Sequence, residues 1–164
     1  MIKLIILDVD GTMTNGDISY TTNAQESKTF NVKDGLAIAS WNKKLKKKTA
    51  IITGRSSTIV EKRAKELGVD YLYQNIDNKD KIIEEILKKE NITWDNIAAI
   101  GDDLNDYKML SKAKLSFAPK DAVEDIKQIT TNICTKNGGD GAVREMIEYI
   151  LKYNNMDSLK SLWV

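Results

Sequence analysis

The sequence predicts an α/β fold: a doubly wound, Rossmann-like parallel sheet with helices on both faces and a β-hairpin projecting from it. Three observations carry this prediction. Short, apolar, β-branched runs alternate with amphipathic helical stretches, the pattern of repeated strand–helix units. The strand-like runs are continuously apolar, which places both of their faces in the interior, as in a parallel sheet covered by helices. One segment near the N-terminus breaks the alternation with a period-two pattern and turn residues, the mark of a hairpin. A length of 164 residues suits one compact domain, 1–164, and is too short for two ordinary ones.

The elements follow in order. Lys3–Leu7 is an apolar run too short for a signal peptide, with Asp8 and Asp10 where small residues should stand, and reads as a buried strand. Asp17–Thr21, the turn Thr22–Gln25 and Glu26–Phe30 form the hairpin; with no room in the chain for a cap domain, its expected packing partner is another subunit. Helix Asp34–Leu45 runs into the Lys43–Lys48 cluster, read as a solvated helix end. Then strand Ala50–Thr53 is followed by helix Ser57–Leu67, strand Tyr71–Tyr73 by helix Lys79–Glu90, and strand Ile97–Ile100 by helix Asn105–Leu110. Strand Leu115–Ala118, helix Ala122–Gln128, strand Asn132–Thr135 and helix Gly141–Lys152 complete the body. The tail 154–164, with Leu159, Leu162 and Trp163, fits a lid, an assembly contact or a disordered end.

Composition removes several function classes. Hydrophobic residues make up 41% and charged residues 30%, the balance of a soluble globular protein. Against 24 acidic side chains stand 25 basic ones, so global charge gives no reason to expect nucleic acid or an anionic membrane as partner. No stretch reaches the roughly 20 apolar residues of a membrane span. Cys134 is the only cysteine and reads as core; with no disulfide possible within the chain, a cytoplasmic setting is expected. Histidine is absent, which excludes serine–histidine and cysteine–histidine hydrolases and most zinc sites. Acid/base work falls to carboxylates, lysine or tyrosine.

Ligands of α/β sheets sit at the carboxyl ends of the strands, and four such ends carry unusual polar residues. Asp8-Val9-Asp10-Gly11 could simply end a strand and cap the next element. Chemically, Asp8 would attack phosphorus while Asp10 protonates the leaving oxygen and then activates water, with Gly11 opening backbone amides to phosphoryl oxygens. Thr53-Gly54-Arg55 fits a turn before a helix capped by Ser56 or Ser57, or a phosphate contact with Arg55 reaching an anionic group. Lys79 is a surface lysine, or the cation that neutralises the phosphoryl group and keeps the nucleophile ionised. Gly101-Asp102-Asp103-Leu104-Asn105-Asp106 is a helix cap, or a crowd of carboxylates relieved by magnesium. Asp102 and Asp8 are then the direct ligands with the Asp10 carbonyl, and Asp103 and Asp106 stand behind them. All four together, in this order, favour the chemical reading over four independent structural ones.

The constellation Asp8-Val9-Asp10-Gly11, Thr53-Gly54-Arg55, Lys79 and Gly101-Asp102-Asp103 resembles the haloacid dehalogenase superfamily of aspartate-nucleophile phosphatases. Within it the chain is similar, over essentially its full length, to the small 3-deoxy-D-manno-octulosonate 8-phosphate (KDO 8-phosphate) phosphatases, in which a hairpin stands in place of a cap domain. Phe30–Gly35, Tyr71–Gln74 and Gly138–Glu145 carry this closer resemblance. It implies Mg2+-dependent hydrolysis of a sugar phosphate in lipopolysaccharide precursor synthesis. It also implies a homotetramer joined through the hairpins, active sites at subunit interfaces, and a C-terminal tail able to cover a neighbour's site. Substrate contacts are implied at Asn31, Val32, Lys33, Asp34, Gly35, Arg55, Arg63 and Lys79, beside Asp10, Thr53 and Gly54; Arg63 also lies two helical turns beyond Arg55. Asn15 stands where the family usually has aspartate, Asn75 where it has glycine, and Ala39 where some members have arginine. Relatives acting on nine-carbon sugar acid phosphates, such as KDN 9-phosphate, tend to carry glutamate at the Arg55 position, so arginine favours the eight-carbon substrate. Two rival classes are a non-catalytic assembly domain, which would not need Asp8, Asp10, Lys79 and Asp102 together, and a phosphoacceptor of the response-regulator type, whose signal a base at Asp10 would discharge.

Overall fold

The computed structural model describes residues 1–164 and has the predicted class. Strands β1 (Leu4–Leu7), β4 (Lys48–Ile52), β5 (Tyr71–Tyr73), β6 (Ile97–Ile100), β7 (Leu115–Ala118) and β8 (Asn132–Ile133) form one parallel sheet. Their order across it is β5-β4-β1-β6-β7-β8. The hairpin strands β2 (Ser19–Tyr20) and β3 (Glu26–Ser27) pair antiparallel and apart from that sheet. From β1 the chain steps outward through β4 to β5, then returns to the other side of β1 as β6. That reversal opens a crevice beyond the carboxyl end of β1, where Leu7 lies level with Ile51 and Ile100.

The alternation along β1 divides the core into two layers. Leu4 and Ile6 face Ile83 and Ile86 of α3 (Lys79–Glu90), Met109 and Leu110 of α4 (Tyr107–Lys112) and Ile126 of α5 (Glu124–Ile129). Ile5 and Leu7 face Ile38 of α1 (Val32–Ala39), Val60 and Leu67 of α2 (Thr58–Leu67), and Met146 and Ile150 of α6 (Ala142–Tyr153). Each of these four β1 side chains is fully buried and stabilises the fold by roughly 1.5–3 kcal/mol. The sheet is thereby rigid directly beneath Asp8.

Several element boundaries differ from expectation for identifiable reasons. Helix α1 begins two residues early because the Asn31 side chain caps it, accepting from the amides of Lys33 (2.8 Å) and Asp34 (3.3 Å). It runs on as a π-helical turn, Ser40–Lys44, and the lysine cluster is solvated but spans this turn and the start of β4. A 3-10 turn, Leu104–Asp106, precedes α4, and β8 stops two residues short. The tail docks on its own chain. Leu159 is buried, Trp163 Nε1 donates to Ser40 Oγ (3.1 Å), and Lys44 Nζ lies 3.7 Å above the Trp163 ring. That contact sits at the end of α1 remote from Asn31. No helix is long and apolar enough to cross a membrane.

Candidate active site

Asp8 and Lys79 are the centre of the crevice. Asp8 follows β1, and its amide donates to the Ile100 carbonyl (3.2 Å), so the sheet itself fixes its backbone. Lys79 opens α3 and is only 2% exposed. An ammonium group is tolerated at such depth only when it is paired. Its Nζ lies 2.5 Å from Asp8 Oδ1 and 2.6 Å from Asp106 Oδ1. The other Asp106 oxygen accepts the Asp102 amide (3.0 Å), and Asp102 Oδ1 accepts the Thr12 hydroxyl (3.2 Å). Asp8, Asp102 and Asp106 can each bring a carboxylate oxygen within 4.8 Å of the others.

Three carboxylates around one cation leave unbalanced negative charge in a poorly solvated place. Burial pushes Asp8 up to about 6 against the pull of Lys79. Burial, then repulsion from Asp106, pushes Asp102 up to about 6. Burial and the neighbouring Asp8 push Asp106 up to about 7. Lys79 stays above the ordinary lysine range because attraction to Asp8 and Asp106 outweighs its burial. An all-oxygen, anion-rich donor set of this kind suits a hard divalent cation. Since both Asp106 oxygens are engaged, Asp8 Oδ2 and Asp102 Oδ2 are the oxygens left over for it. Gly11 makes the approach possible: at φ +93° it is left-handed, and a methyl group there would overlap the Asp102 carboxylate. Gly138 is equally constrained, since a side chain would overlap the Gly11 carbonyl. The Gly138–Gly139 turn thus props the Asp8–Gly11 loop from behind, with the Gly139 amide donating to the Thr12 carbonyl (3.0 Å).

Asp10 lies on the hairpin side of the crevice. Lys28 Nζ forms an ion pair with Asp10 Oδ1, and Arg55 Nε stands 4.0 Å from Oδ2. Glu26 Oε1 joins the two cations, accepting from Lys28 Nζ (3.0 Å) and Arg55 Nη2 (3.0 Å); Arg55 Nη2 also reaches the Tyr20 hydroxyl (3.4 Å). The hairpin therefore closes over the site of its own chain, a use beyond the subunit packing expected of it. Its outer residues Ile18 and Tyr20 remain half or more exposed.

With this geometry in place, comparison with known proteins is decisive. A family model described as haloacid dehalogenase-like hydrolase matches residues 71–147. The 3-deoxy-D-manno-octulosonate 8-phosphate phosphatase of Escherichia coli K12 is 39% identical over 151 residues, 92% of this chain and 79% of that protein. The chain belongs to the haloacid dehalogenase-like hydrolases. The corresponding phosphatase of Haemophilus influenzae is 33% identical over 161 residues, covering 96% of this chain and 87% of that one. The crystal structure of the Moraxella catarrhalis phosphatase in complex with magnesium, phosphate and KDO superposes with a TM-score of 0.94 at 40% identity, covering 99% of this chain and 94% of that one.

Among residues singled out from sequence, Asp8, Asp10, Lys79, Asp102 and Asp106 come together as described. Thr53, buried at the end of β4, donates its amide to the Tyr73 carbonyl (3.0 Å), while Gly54 and Arg55 follow in the open. Asp103 does not back the cluster: it is exposed, and its carboxylate accepts the Leu104 amide (2.7 Å) at the head of the 3-10 turn. Asp34 also serves the packing of α6, while its second carboxylate oxygen is buried without a partner. Asp34 itself is buried, and Oδ1 accepts the Arg144 amide (2.8 Å), because the unpaired amides at the start of α6 need an acceptor. At Gly35 a side chain would overlap the Arg63 guanidinium. Arg63 itself lies over the Phe30 ring (5.6 Å), pairs with Glu66 (3.3 Å) and donates to the Asn31 carbonyl (3.5 Å), while its buried Nε has no partner. Val32 and Lys33 are exposed. No hydrogen bond or ion pair joins the Asn31–Gly35 group to the Asp8 cluster. Asn75 adopts φ +58°, a conformation asparagine tolerates, which accounts for its standing in a glycine position. Sequence reasoning missed Lys28 and Glu26; Glu26 opens β3 and Lys28 follows its end, and their period-two spacing was the available signal.

Proposed function

We propose that the protein hydrolyses a sugar phosphate monoester, KDO 8-phosphate, to KDO and inorganic phosphate through an aspartyl-phosphate on Asp8. The observation that carries the reading is the buried Lys79, paired on one side with Asp8 and on the other with Asp106 at the topological switch of the sheet. Asp8 attacks phosphorus in line, opposite the departing sugar oxygen. Lys79 keeps Asp8 ionised, and with Thr53 and nearby amides it offsets charge on the equatorial oxygens. Asp10 gives its proton to the sugar oxygen as the P–O bond breaks, then takes one from the water that attacks the aspartyl-phosphate, so each step inverts phosphorus. Magnesium, present in the M. catarrhalis complex, fits the free oxygens of Asp8 and Asp102 with the Asp10 carbonyl and supplies positive charge to the phosphoryl group when bound. Arg55 and Arg63 take the sugar acid, with Asn31, Val32 and Lys33 along its edge.

In this reading 1–164 is one phosphatase domain, working in the cytoplasm as a homotetramer with interface active sites. The exposed apolar Ile18 and Tyr20 on the outer side of the hairpin support the assembly. Phosphate release from KDO 8-phosphate, KDN 9-phosphate and simple sugar phosphates, with and without magnesium, tests it. KDO 8-phosphate should turn over fastest and only with the metal. Equal rates for all substrates refute the specificity, and no release from any refutes catalysis.

A further inference from the structure

We propose that Lys28, on the hairpin, is a positioning residue for Asp10: it pins one carboxylate oxygen so that the other faces the leaving group. Lysine is almost never buried without pairing, yet the Lys28 side chain is 3% exposed, and Asp10 and Glu26 are its two partners. Asp10 has no other hydrogen bond. Arg55 Nε, at 4.0 Å from Oδ2, lies beyond hydrogen-bonding distance. Lys28 is thus the only hydrogen-bond partner of the Asp10 side chain, which is 22% exposed and has only the more distant Arg55 charge on its other oxygen. The two oxygens of Asp10 become inequivalent: Oδ1 is anchored, and Oδ2 is the one able to carry a proton to the sugar oxygen. Glu26 holds Lys28 from the far side and is itself tied to Arg55, so the anchor does not swing. A lysine serving only the hairpin would not need Asp10, because the Glu26–Arg55 pair already ties the hairpin down. The amine remains charged: burial opposes it, but the hydrogen bonds to Asp10 and Glu26 outweigh that and hold it above the ordinary lysine range.

The inference rests on Asp10 being the group that protonates the leaving oxygen. In that step the Asp8–phosphorus bond forms, the phosphorus–sugar oxygen bond breaks, and one proton passes from Asp10 Oδ2 to that oxygen. Lys28 keeps all three of its protons. The dependence on leaving group isolates this role, because a sugar alkoxide needs the proton and p-nitrophenolate does not. Full-length Lys28→Met and Lys28→Gln should lose at least about 10-fold more kcat on KDO 8-phosphate than on p-nitrophenyl phosphate, part of the 10²–10⁴ typical of general acid catalysis. Lys28→Arg, which keeps a hydrogen-bonding cation, should hold the ratio of the two rates within about 3-fold of the wild type. Equal losses on both substrates, or no loss from either neutral variant, overturn the role of Lys28 while leaving the phosphatase reading intact. A wild type that releases phosphate from neither substrate overturns that reading and this inference with it.

Discussion

Replacing Lys79 with methionine removes one cation from between two buried carboxylates while keeping the apolar stem that packs at the head of α3. Lys79 is 2% exposed, so its attraction to Asp8 and Asp106 is little screened, and removing one partner of a buried pair typically costs about 3–5 kcal/mol. For a chain of this length that lowers the melting temperature by about 6–20 °C, at about 2–4 °C per kcal/mol. The sign of the pH dependence follows from the carboxylates. Asp8 near 6 and Asp106 near 7 sit above their unfolded values, so the protein gives up stability as they ionise with rising pH. Lys79 offsets that loss only where they are charged. The difference between Lys79→Met and wild type should therefore be largest at pH 8 and shrink below about pH 5, where both carboxyls hold protons. Melting curves of both proteins in chelator across this range measure it, alongside kcat at pH 7, which should fall at least about 10²-fold. A variant that melts within 2 °C of wild type at pH 8 would falsify the account of the buried pair.

Three further outcomes follow from the same geometry. Magnesium should raise the melting temperature, and more at pH 8 than at pH 5, because protons compete with the ion for Asp8 and Asp102, which titrate near 6 without it; calorimetry with and without the metal checks this. Gly11→Ala should destabilise by about 1–3 kcal/mol from backbone strain and cut activity through the displaced Asp102 carboxylate; an active variant of wild-type stability contradicts the role of that turn. Cys134 is buried and its thiol is pushed up to about 12, by burial first and then by Glu145 and Asp34, so Ellman's reagent should label one thiol in denaturant and none in the native protein.

The fold was legible because a fully buried strand leaves a strong mark: the run ending at Leu7 has no polar residue, and an aspartate follows at once. Asp8 and Asp102 were legible for the same reason, since each follows an apolar strand at once or after one glycine, whereas Lys79 stands among polar residues at the head of α3 and only its burial sets it apart. Residues that reach the site from elsewhere left fainter marks. Lys28 and Glu26 look like ordinary hairpin polar residues until the hairpin is folded back on Asp10. Asp34 reads in sequence as one polar residue of a helix start, and only the fold shows its carboxylate accepting the Arg144 amide of α6. The tail was equally open in sequence, and the Trp163–Ser40 hydrogen bond, Lys44 over the Trp163 ring and the burial of Leu159 place it on its own chain.

The central claim is that Asp8 is the nucleophile. Rapid acid quenching of the enzyme with KDO 8-phosphate, followed by peptide mass spectrometry, should find a phosphoryl group on Asp8 of the wild type. Asp8→Asn should show neither adduct nor turnover while retaining the wild-type circular dichroism spectrum and elution volume. Full turnover by Asp8→Asn, or a phosphoryl group mapped to another residue, contradicts the account.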